Sequence, residues 1–186
     1  MKFTRSDLFP EVIILEPKIF KDERGHFFEG FQKERYKDAG IDESFVQDNY
    51  SRSSKGCLRG LHYQLKSPQA KLVGVTFGKV FDVIVDIRKN SPTFLKWQGF
   101  ELSDENARQI FVPKGFAHGF CVLSEYADFY YKCSDFYNPS DEHGIIWNDK
   151  DIAVDWPSHS ESLISTKDKQ NNSINQLKED QLPDYA

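Results

Sequence analysis

Long apolar runs are missing from this sequence. Its N-terminal region contains one short run, Val12-Ile13-Ile14-Leu15, and four residues are too few for the core of a secretory signal peptide. Elsewhere no apolar stretch approaches the length of about 20 residues that a helix needs to cross a bilayer. The sequence therefore predicts neither a signal peptide nor a membrane-spanning helix.

Cysteine and excess positive charge are also scarce. The three cysteines, at positions 57, 121 and 133, are an odd number without CxxC spacing, which argues against a disulfide framework and a thiolate metal site. Thiols of this kind suit the reducing cytoplasm. The formal net charge is -5, so no overall basic field favours nucleic acid, and an anionic ligand must be bound by individual Arg and Lys side chains.

Aromatic residues, in contrast, are abundant. Sixteen Phe and eight Tyr stand against one Met among 186 residues, which favours a β-rich core in a single domain. One short helix is predicted at residues 32–39, ended by Gly40. Strand patterns recur at residues 12–15, 26–31, 70–78, 80–88, 97–102, 108–112 and 128–133. Short strands at such spacing predict an all-β sandwich or barrel.

The clearest strand pattern lies at residues 80–88. The odd-numbered positions from 81 to 87 are all apolar, so alternation predicts that Asp82 and Asp86 point outward on the opposite face.

Composition changes after Pro157, where Ser, Asn, Gln, Lys and Asp become frequent. We predict one domain, residues 1–168, followed by a polar tail, residues 169–186. The tail is expected to dock in part and to fray at its end.

Polar residues interrupt the strand pattern at residues 57–64, which read CLRGLHYQ. Strict alternation places Arg59 and His62 on opposite faces, but Gly60 between them is a natural position for a β-bulge that would bring both to one cavity. An imidazole exchanges protons at neutral pH, so His62 is a candidate general base. A histidine that merely binds a neighbouring carbonyl fits the same residues equally well.

Three further side chains are open to two interpretations each. Lys71 ends an apolar strand face and either extends to water or points its charge into a cavity. Glu29 lies between two Phe on a predicted strand face, which suits an exposed edge or a ligand contact. Tyr131 shares a face with Phe129 and Cys133, so it belongs to the core unless a proton acceptor lies opposite.

The motif Pro113-x-Gly115-x-x-His118 resembles the second motif of cupins, which are small jelly-roll barrels. Metal-binding cupins carry HxH in the first motif, where this chain has His62-Tyr63-Gln64, so we predict no metal. Over residues 12–168 the chain resembles more specifically the dTDP-4-dehydrorhamnose 3,5-epimerase family. The motifs that carry this resemblance are, in order, DERG (22–25), FVQDN (45–49), LRGLH (58–62), FDV (81–83), FAHGF (116–120), YKC (131–133), WND (147–149) and DWP (155–157).

The resemblance implies an enzyme that inverts two carbons beside the ketone of a 4-keto sugar nucleotide, without a cofactor. A hydrogen next to a ketone is acidic because the carbanion delocalises onto oxygen. The reaction therefore needs a base, an acid on the opposite face and positive charge at the enolate oxygen. By this resemblance His62 is the base and is held by Asp168, Tyr131 is the acid, and Lys71 stabilises the enolate.

The resemblance also implies which residues bind the dTDP-sugar. They are Arg24, Glu29, Gln47, Asp48, Asn49, Arg59, His118, Glu142 and Lys167, together with Tyr137, which stacks on thymine. Family members are homodimers with exchanged N-terminal strands, so Arg24 and Glu29 are expected to serve the neighbouring subunit's site. Tyr50 and Cys57 depart from the family pattern, and Tyr50 could alter the pocket.

Other functions fit parts of the pattern. A related cupin that inverts only C3, or one that moves the ketone from C4 to C3, would keep much of the scaffold. A non-catalytic cupin would bind the sugar nucleotide without hydrogen exchange, and a metal-dependent oxygenase would need more ligands than the motif supplies. The sequence leaves the nucleobase and the final deoxysugar open.

Overall fold

The computed structural model of the chain describes residues 1–157 and 163–185. No helix within these ranges is long and apolar enough to cross a membrane. The helices are α1 (Lys33–Asp38) and α2 (Thr166–Lys169), with 3-10 turns at Ile174–Gln176 and Glu179–Gln181. The strands are β1 (Lys2–Arg5), β2 (Ile13–Glu16), β3 (Phe20–Asp22), β4 (Gly25–Phe27), β5 (Gln47–Ser54), β6 (Leu58–Gln64), β7 (Lys71–Phe77), β8 (Lys79–Asp86), β9 (Trp97–Ser103), β10 (Gln109–Val112), β11 (Phe116–Val122), β12 (Tyr126–Cys133) and β13 (Glu142–Gly144).

Two antiparallel sheets form the body of the molecule. The six-stranded sheet has the order β1-β2-β10-β7-β12-β5 and the five-stranded sheet the order β13-β6-β11-β8-β9. Side chains from both sheets share one buried cluster, which includes Val73, Ile84, Ile110 and Phe129. Strands β3 and β4 pair only with each other in a separate hairpin. The prediction of an all-β jelly-roll barrel is confirmed.

Helix α1 covers part of the six-stranded sheet. The Gln32 side chain accepts a hydrogen bond from the Arg35 amide and so caps its first turn. The short helix predicted at residues 32–39 is confirmed. Its buried Tyr36 packs in a cluster with Ile13, Leu72 and other residues of β2, β7 and β10. The strand predicted at residues 26–31 is shorter in the structure, where β4 spans Gly25–Phe27.

The prediction that Asp82 and Asp86 point outward is wrong, because both carboxylates are fully buried. Strand β8 is covered on both faces. Its apolar odd positions, including Val83 and Val85, pack against C-terminal residues, whereas Ile84 on the even face lies in the cluster between the sheets. The apolar face is therefore the outside of the barrel, and Asp82 shares the inward side with Ile84.

The C-terminal segment supplies that outer covering. Ile174, Leu177 and Leu182 pack in one cluster with Tyr63 and the odd positions of β8. The Tyr63 hydroxyl donates to the Gln181 carbonyl at 2.8 Å. Docking of residues after 168 thus extends close to the end of the chain.

Candidate active site

A cavity of about 400 Å³ lies between the two sheets. This volume is in the range of small-molecule sites. Its walls come from β5, β7 and β12 on one side and from β6, β11 and β13 on the other. Most of the lining side chains are polar or charged, among them Gln47, Asn49, Ser51, Arg59, His62, Gln69, Lys71, His118, Tyr131 and Glu142.

A β-bulge in β6 brings Arg59 and His62 to this cavity. On the neighbouring strand β11, His118 pairs with His62 and Phe120 pairs with Arg59, so three steps on β6 match two on β11. Gly60 has a φ of +136°, and an added Cβ would lie 2.6 Å from the Gly119 Cα. Only glycine fits such a conformation and such a close approach. The predicted bulge at Gly60 is confirmed.

His62 is bound to a buried carboxylate. Its Nε2 lies 2.6 Å from Asp168 Oδ1, and the Gly60 amide donates to Asp168 Oδ2 at 3.4 Å. Burial alone would raise the pKa of Asp168, but hydrogen bonds from His62, Gly60 and Ser165 and the charge of His62 hold the pKa below its usual value. The carboxylate therefore stays ionised beside the imidazole, leaving Nδ1 as the ring nitrogen that can accept a proton.

Asp168 reaches His62 because α2 begins beside the bulge. The Ser165 side chain caps this helix by accepting from the Asp168 amide at 3.0 Å. Asp168 is the residue that lies past the change in composition, so nothing in the local pattern predicts where its helix docks.

Tyr131 enters the same cavity from the facing sheet. Burial raises the pKa of its phenol, so the hydroxyl keeps its proton at neutral pH. Lys71, on the adjacent strand β7, also lines the cavity. Burial lowers the pKa of the Lys71 amino group, and the nearby carboxylates of Glu142 and Asp82 oppose that shift. Of the two interpretations of Lys71, the structure supports the one in which the side chain points into a cavity.

A group of hydrogen bonds centres on Glu142 at the edge of the cavity. Tyr137 Oη donates to Glu142 Oε2 at 2.5 Å, and Lys167 Nζ binds the same oxygen. Burial would raise the pKa of Glu142, but these two partners lower it further than burial raises it. A second cavity of about 350 Å³ adjoins this edge, because Arg59, His62 and Glu142 line both, and it contains Lys167 and Asp168.

This arrangement places the His62 imidazole and the Tyr131 phenol on facing walls, with the Lys71 side chain in the same cavity. A family model described as dTDP-4-dehydrorhamnose 3,5-epimerase matches residues 7–176. The chain belongs to this family. The resemblance drawn from its motifs is confirmed.

Individual members of the epimerase family are similar over nearly their whole length. A dTDP-4-dehydrorhamnose 3,5-epimerase from Pseudomonas aeruginosa is 54% identical over 171 residues, which cover 91% of this chain and 94% of the relative. The crystal structure of dTDP-6-deoxy-D-glucose-3,5-epimerase from Legionella pneumophila, in complex with dTDP-4-keto-L-rhamnose, has a TM-score of 0.96 and 51% identity, covering 100% of this chain and 98% of that one. A 3'-monoepimerase from Streptomyces bikiniensis, in complex with dTDP-quinovose, has a TM-score of 0.90 and 32% identity, covering 97% and 92%.

Apart from Lys167, which lines the adjoining second cavity, three residues that the family resemblance assigns to ligand binding lie away from this cavity. Arg24 is in the β3–β4 hairpin, where its guanidinium binds Asp22. Glu29 pairs with Arg35 at 2.6 Å. Asp48 points to the outer face of its sheet and binds Lys132 at 3.0 Å. Alternation along β5 explains the last case, since Gln47 and Asn49 face inward.

Alternation also places the departure at Tyr50 outside the cavity. Tyr50 is exposed and lies opposite Tyr130 on the neighbouring strand. The expectation that Tyr50 could alter the pocket is therefore wrong for the cavity of its own chain. Cys57 lines the adjoining second cavity.

Several lining residues were not predicted. Ser51, Gln64, Phe120 and Phe129 all face the cavity. Period-two spacing from Gln47, His62 or Tyr131 would have found three of them, Ser51, Gln64 and Phe129. Within the parts of the chain that the structure describes, no three His, Cys, Asp or Glu side chains are grouped so as to hold a metal ion.

Proposed function

We propose that this protein is a dTDP-4-dehydrorhamnose 3,5-epimerase that converts dTDP-4-dehydro-6-deoxy-D-glucose into dTDP-4-dehydro-L-rhamnose, in dTDP-L-rhamnose biosynthesis. The observation that carries the proposal is that His62 and Tyr131 line one cavity from facing sheets. Family membership and the relative crystallised with dTDP-4-keto-L-rhamnose support it. We place the reaction in the cytoplasm, where the free thiols of the three cysteines stay reduced.

In the proposed mechanism, His62 removes the proton from the carbon next to the C4 ketone. Asp168 stabilises the resulting imidazolium through its bond to Nε2. The electron pair of the broken C–H bond moves to the ketone oxygen, and the Lys71 ammonium stabilises this enolate. Tyr131 then gives its proton to the opposite face, and solvent restores the protonation of both groups. The same sequence at C3 and at C5 inverts both carbons.

Nucleotide binding is proposed for the charged and polar residues around these groups. Arg59 lies where the two cavities meet, and its guanidinium can make paired hydrogen bonds to a diphosphate. Tyr137 offers an exposed ring on which thymine can stack, and its hydroxyl is fixed by Glu142. Gln47, Asn49, His118 and Lys167 complete the proposed binding set.

Incubation with dTDP-4-keto-6-deoxyglucose in D₂O tests this function directly. NMR should show deuterium at both C3 and C5 of the product, and His62→Ala should remove the label from both positions. Label at C3 alone would identify a 3-epimerase, an alternative supported by the similarity to the 3'-monoepimerase. Binding without any exchange would identify a non-catalytic sugar-nucleotide-binding protein.

A homodimer with exchanged N-terminal strands is the proposed assembly. The β3–β4 hairpin stands apart from both sheets and exposes Phe20 and Phe27, which are 53% and 69% accessible. The same hairpin carries Arg24, which is well exposed and remote from its own cavity. A second subunit would cover these rings and receive Arg24 at its site.

Mixing two inactive variants tests the shared site. Arg24→Ala lacks the donated guanidinium and His62→Ala lacks the base. A hybrid dimer would contain one site with an intact His62 and an intact Arg24 from its partner. Activity should return when the two variants are mixed, dissociated and reassembled. A mixture that stays inactive, although light scattering shows mixed dimers, would contradict the exchange.

A further inference from the structure

Asp82 is a fully buried carboxylate inside the barrel, with only one hydrogen-bonding partner among the described residues. That partner is His118, whose Nε2 lies 2.8 Å from Asp82 Oδ2. No described donor reaches Asp82 Oδ1. The other buried aspartate of β8 differs, since Asp86 binds Arg88, Ser91 and Thr93. An ionised carboxylate in such surroundings needs a positive partner, and His118 is the group in direct contact with it.

His118 connects this carboxylate to the cavity. It is on β11 opposite His62 of β6, lines the cavity and is only 8% exposed. Its ring stacks beside Phe129, with 6.0 Å between the centroids and 28° between the planes. Asp82 occupies Nε2, so Nδ1 is the nitrogen left for a ligand. Nδ1 can donate while Nε2 also donates only if the ring is doubly protonated.

We propose that Asp82 is a positioning residue that holds His118 as an imidazolium, so that Nδ1–H donates to an anionic oxygen of the sugar nucleotide. The inference rests on the proposed function, because that function supplies an anionic diphosphate ligand. Asp82 touches no ligand itself. It fixes the orientation and the charge of the ring that does.

The other charged groups around His118 include some that favour its protonation and some that disfavour it. The facing elements contribute Arg59 and His62 from β6, Lys71 from β7, Tyr131 from β12 and Glu142 from β13, all lining the same cavity. The cations Arg59 and Lys71 disfavour a third positive charge, whereas Glu142 favours it. Asp82 is the anion in direct contact with the ring, so its removal should change the balance most.

The first test compares dTDP binding by the wild type and by Asp82→Asn between about pH 6 and pH 8.5. The amide keeps the shape of the side chain but removes its charge. At pH 8 the variant should bind about tenfold or more weakly, because His118 has lost the anion that favours its second proton. As the pH is lowered the imidazole of the variant gains a proton, so the ratio of the two dissociation constants should fall toward one. Taking the ratio at each pH cancels the titration of dTDP itself.

Asp86→Asn is the matched control, since it alters a buried aspartate on the same strand that faces no cavity. It should leave the pH dependence of dTDP binding unchanged. An Asp82→Asn variant whose binding follows the wild type at every pH would overturn the proposal. Adding Asp82→Asn to His118→Gln should cause no further loss, and a further loss of tenfold would also overturn it.

A direct measurement covers the case in which Asp82→Asn fails to fold. The ¹⁵N shifts of the His118 ring, assigned by their disappearance in His118→Gln, should be those of an imidazolium at pH 7.5 in the unliganded wild type. Shifts of a neutral ring would refute the proposal. A wild type that does not bind dTDP would contradict the proposed function instead, so the two failures are distinguishable.

Discussion

Gly60→Ala is the substitution that most directly links the backbone of β6 to the site. The added methyl group meets two obstacles. Gly60 has a φ of +136°, which side chains rarely adopt and which costs about 1–3 kcal/mol. Its Cβ would also lie 2.6 Å from Gly119 Cα and 3.1 Å from the His118 carbonyl, and relieving such overlap costs a further ~1–3 kcal/mol. The sum is roughly 4 kcal/mol, the middle of these ranges.

Thermal unfolding followed by circular dichroism measures this cost. For a chain of this size, ~1 kcal/mol corresponds to about 2–4 °C, so Tm should fall by roughly 8–16 °C. Activity of the folded fraction should fall by about 10²-fold, because the bulge that aims Arg59 and His62 must shift. Gly30→Ala is the control, since the nearest atom lies 3.9 Å from an added Cβ and the φ of Gly30 lies outside the range that disfavours a side chain. If Gly60→Ala matches Gly30→Ala in both Tm and activity, the bulge does not constrain the site.

Three further predictions concern single charges. Asp168→Asn should lower kcat on the order of 10²–10⁴-fold because His62 loses the anion that orients it, and a kcat within threefold of wild type would contradict that role. Lys71→Met should lower kcat by about 10²–10³-fold with a smaller effect on KM, which steady-state kinetics would show. Burial alone would raise the pKa of Asp86, but hydrogen bonds led by that of Arg88 hold it below its usual value. The ionised Asp86 therefore stabilises the fold above the unfolded pKa of ~3.9, and this stabilisation is lost as pH falls below that value. In Asp86→Asn the unfolding free energy should fall less steeply below about pH 4. An unchanged slope would count against this role.

The barrel could be predicted because its strands carry local signals. Alternation and turn residues indicated most of β7 to β12, and Gly60 indicated the bulge that unites Arg59 and His62. Strand β1 was missed because only two of its four residues, Phe3 and Thr4, are β-forming, and strand patterns need four or more residues.

Whether Asp82 points into the barrel depends on residues far along the chain, so the local pattern could not predict it. Alternation shows that two faces of β8 differ, but not which face lies inside. The C-terminal residues Ile174, Leu177 and Leu182 cover the apolar face and so turn Asp82 inward. The contact between His62 and Asp168 could not be predicted locally either, because the two residues are 106 positions apart and meet only through the docking of α2.

In the proposed mechanism, His62 and Tyr131 act on opposite faces of the sugar. Tyr131→Phe tests it most directly, by NMR of dTDP-4-keto-6-deoxyglucose incubated with the variant in D₂O. Deuterium should still enter C3 through His62, while the carbon keeps its original configuration. Inverted product formed at the wild-type rate would show that another group delivers the proton and would contradict the assignment.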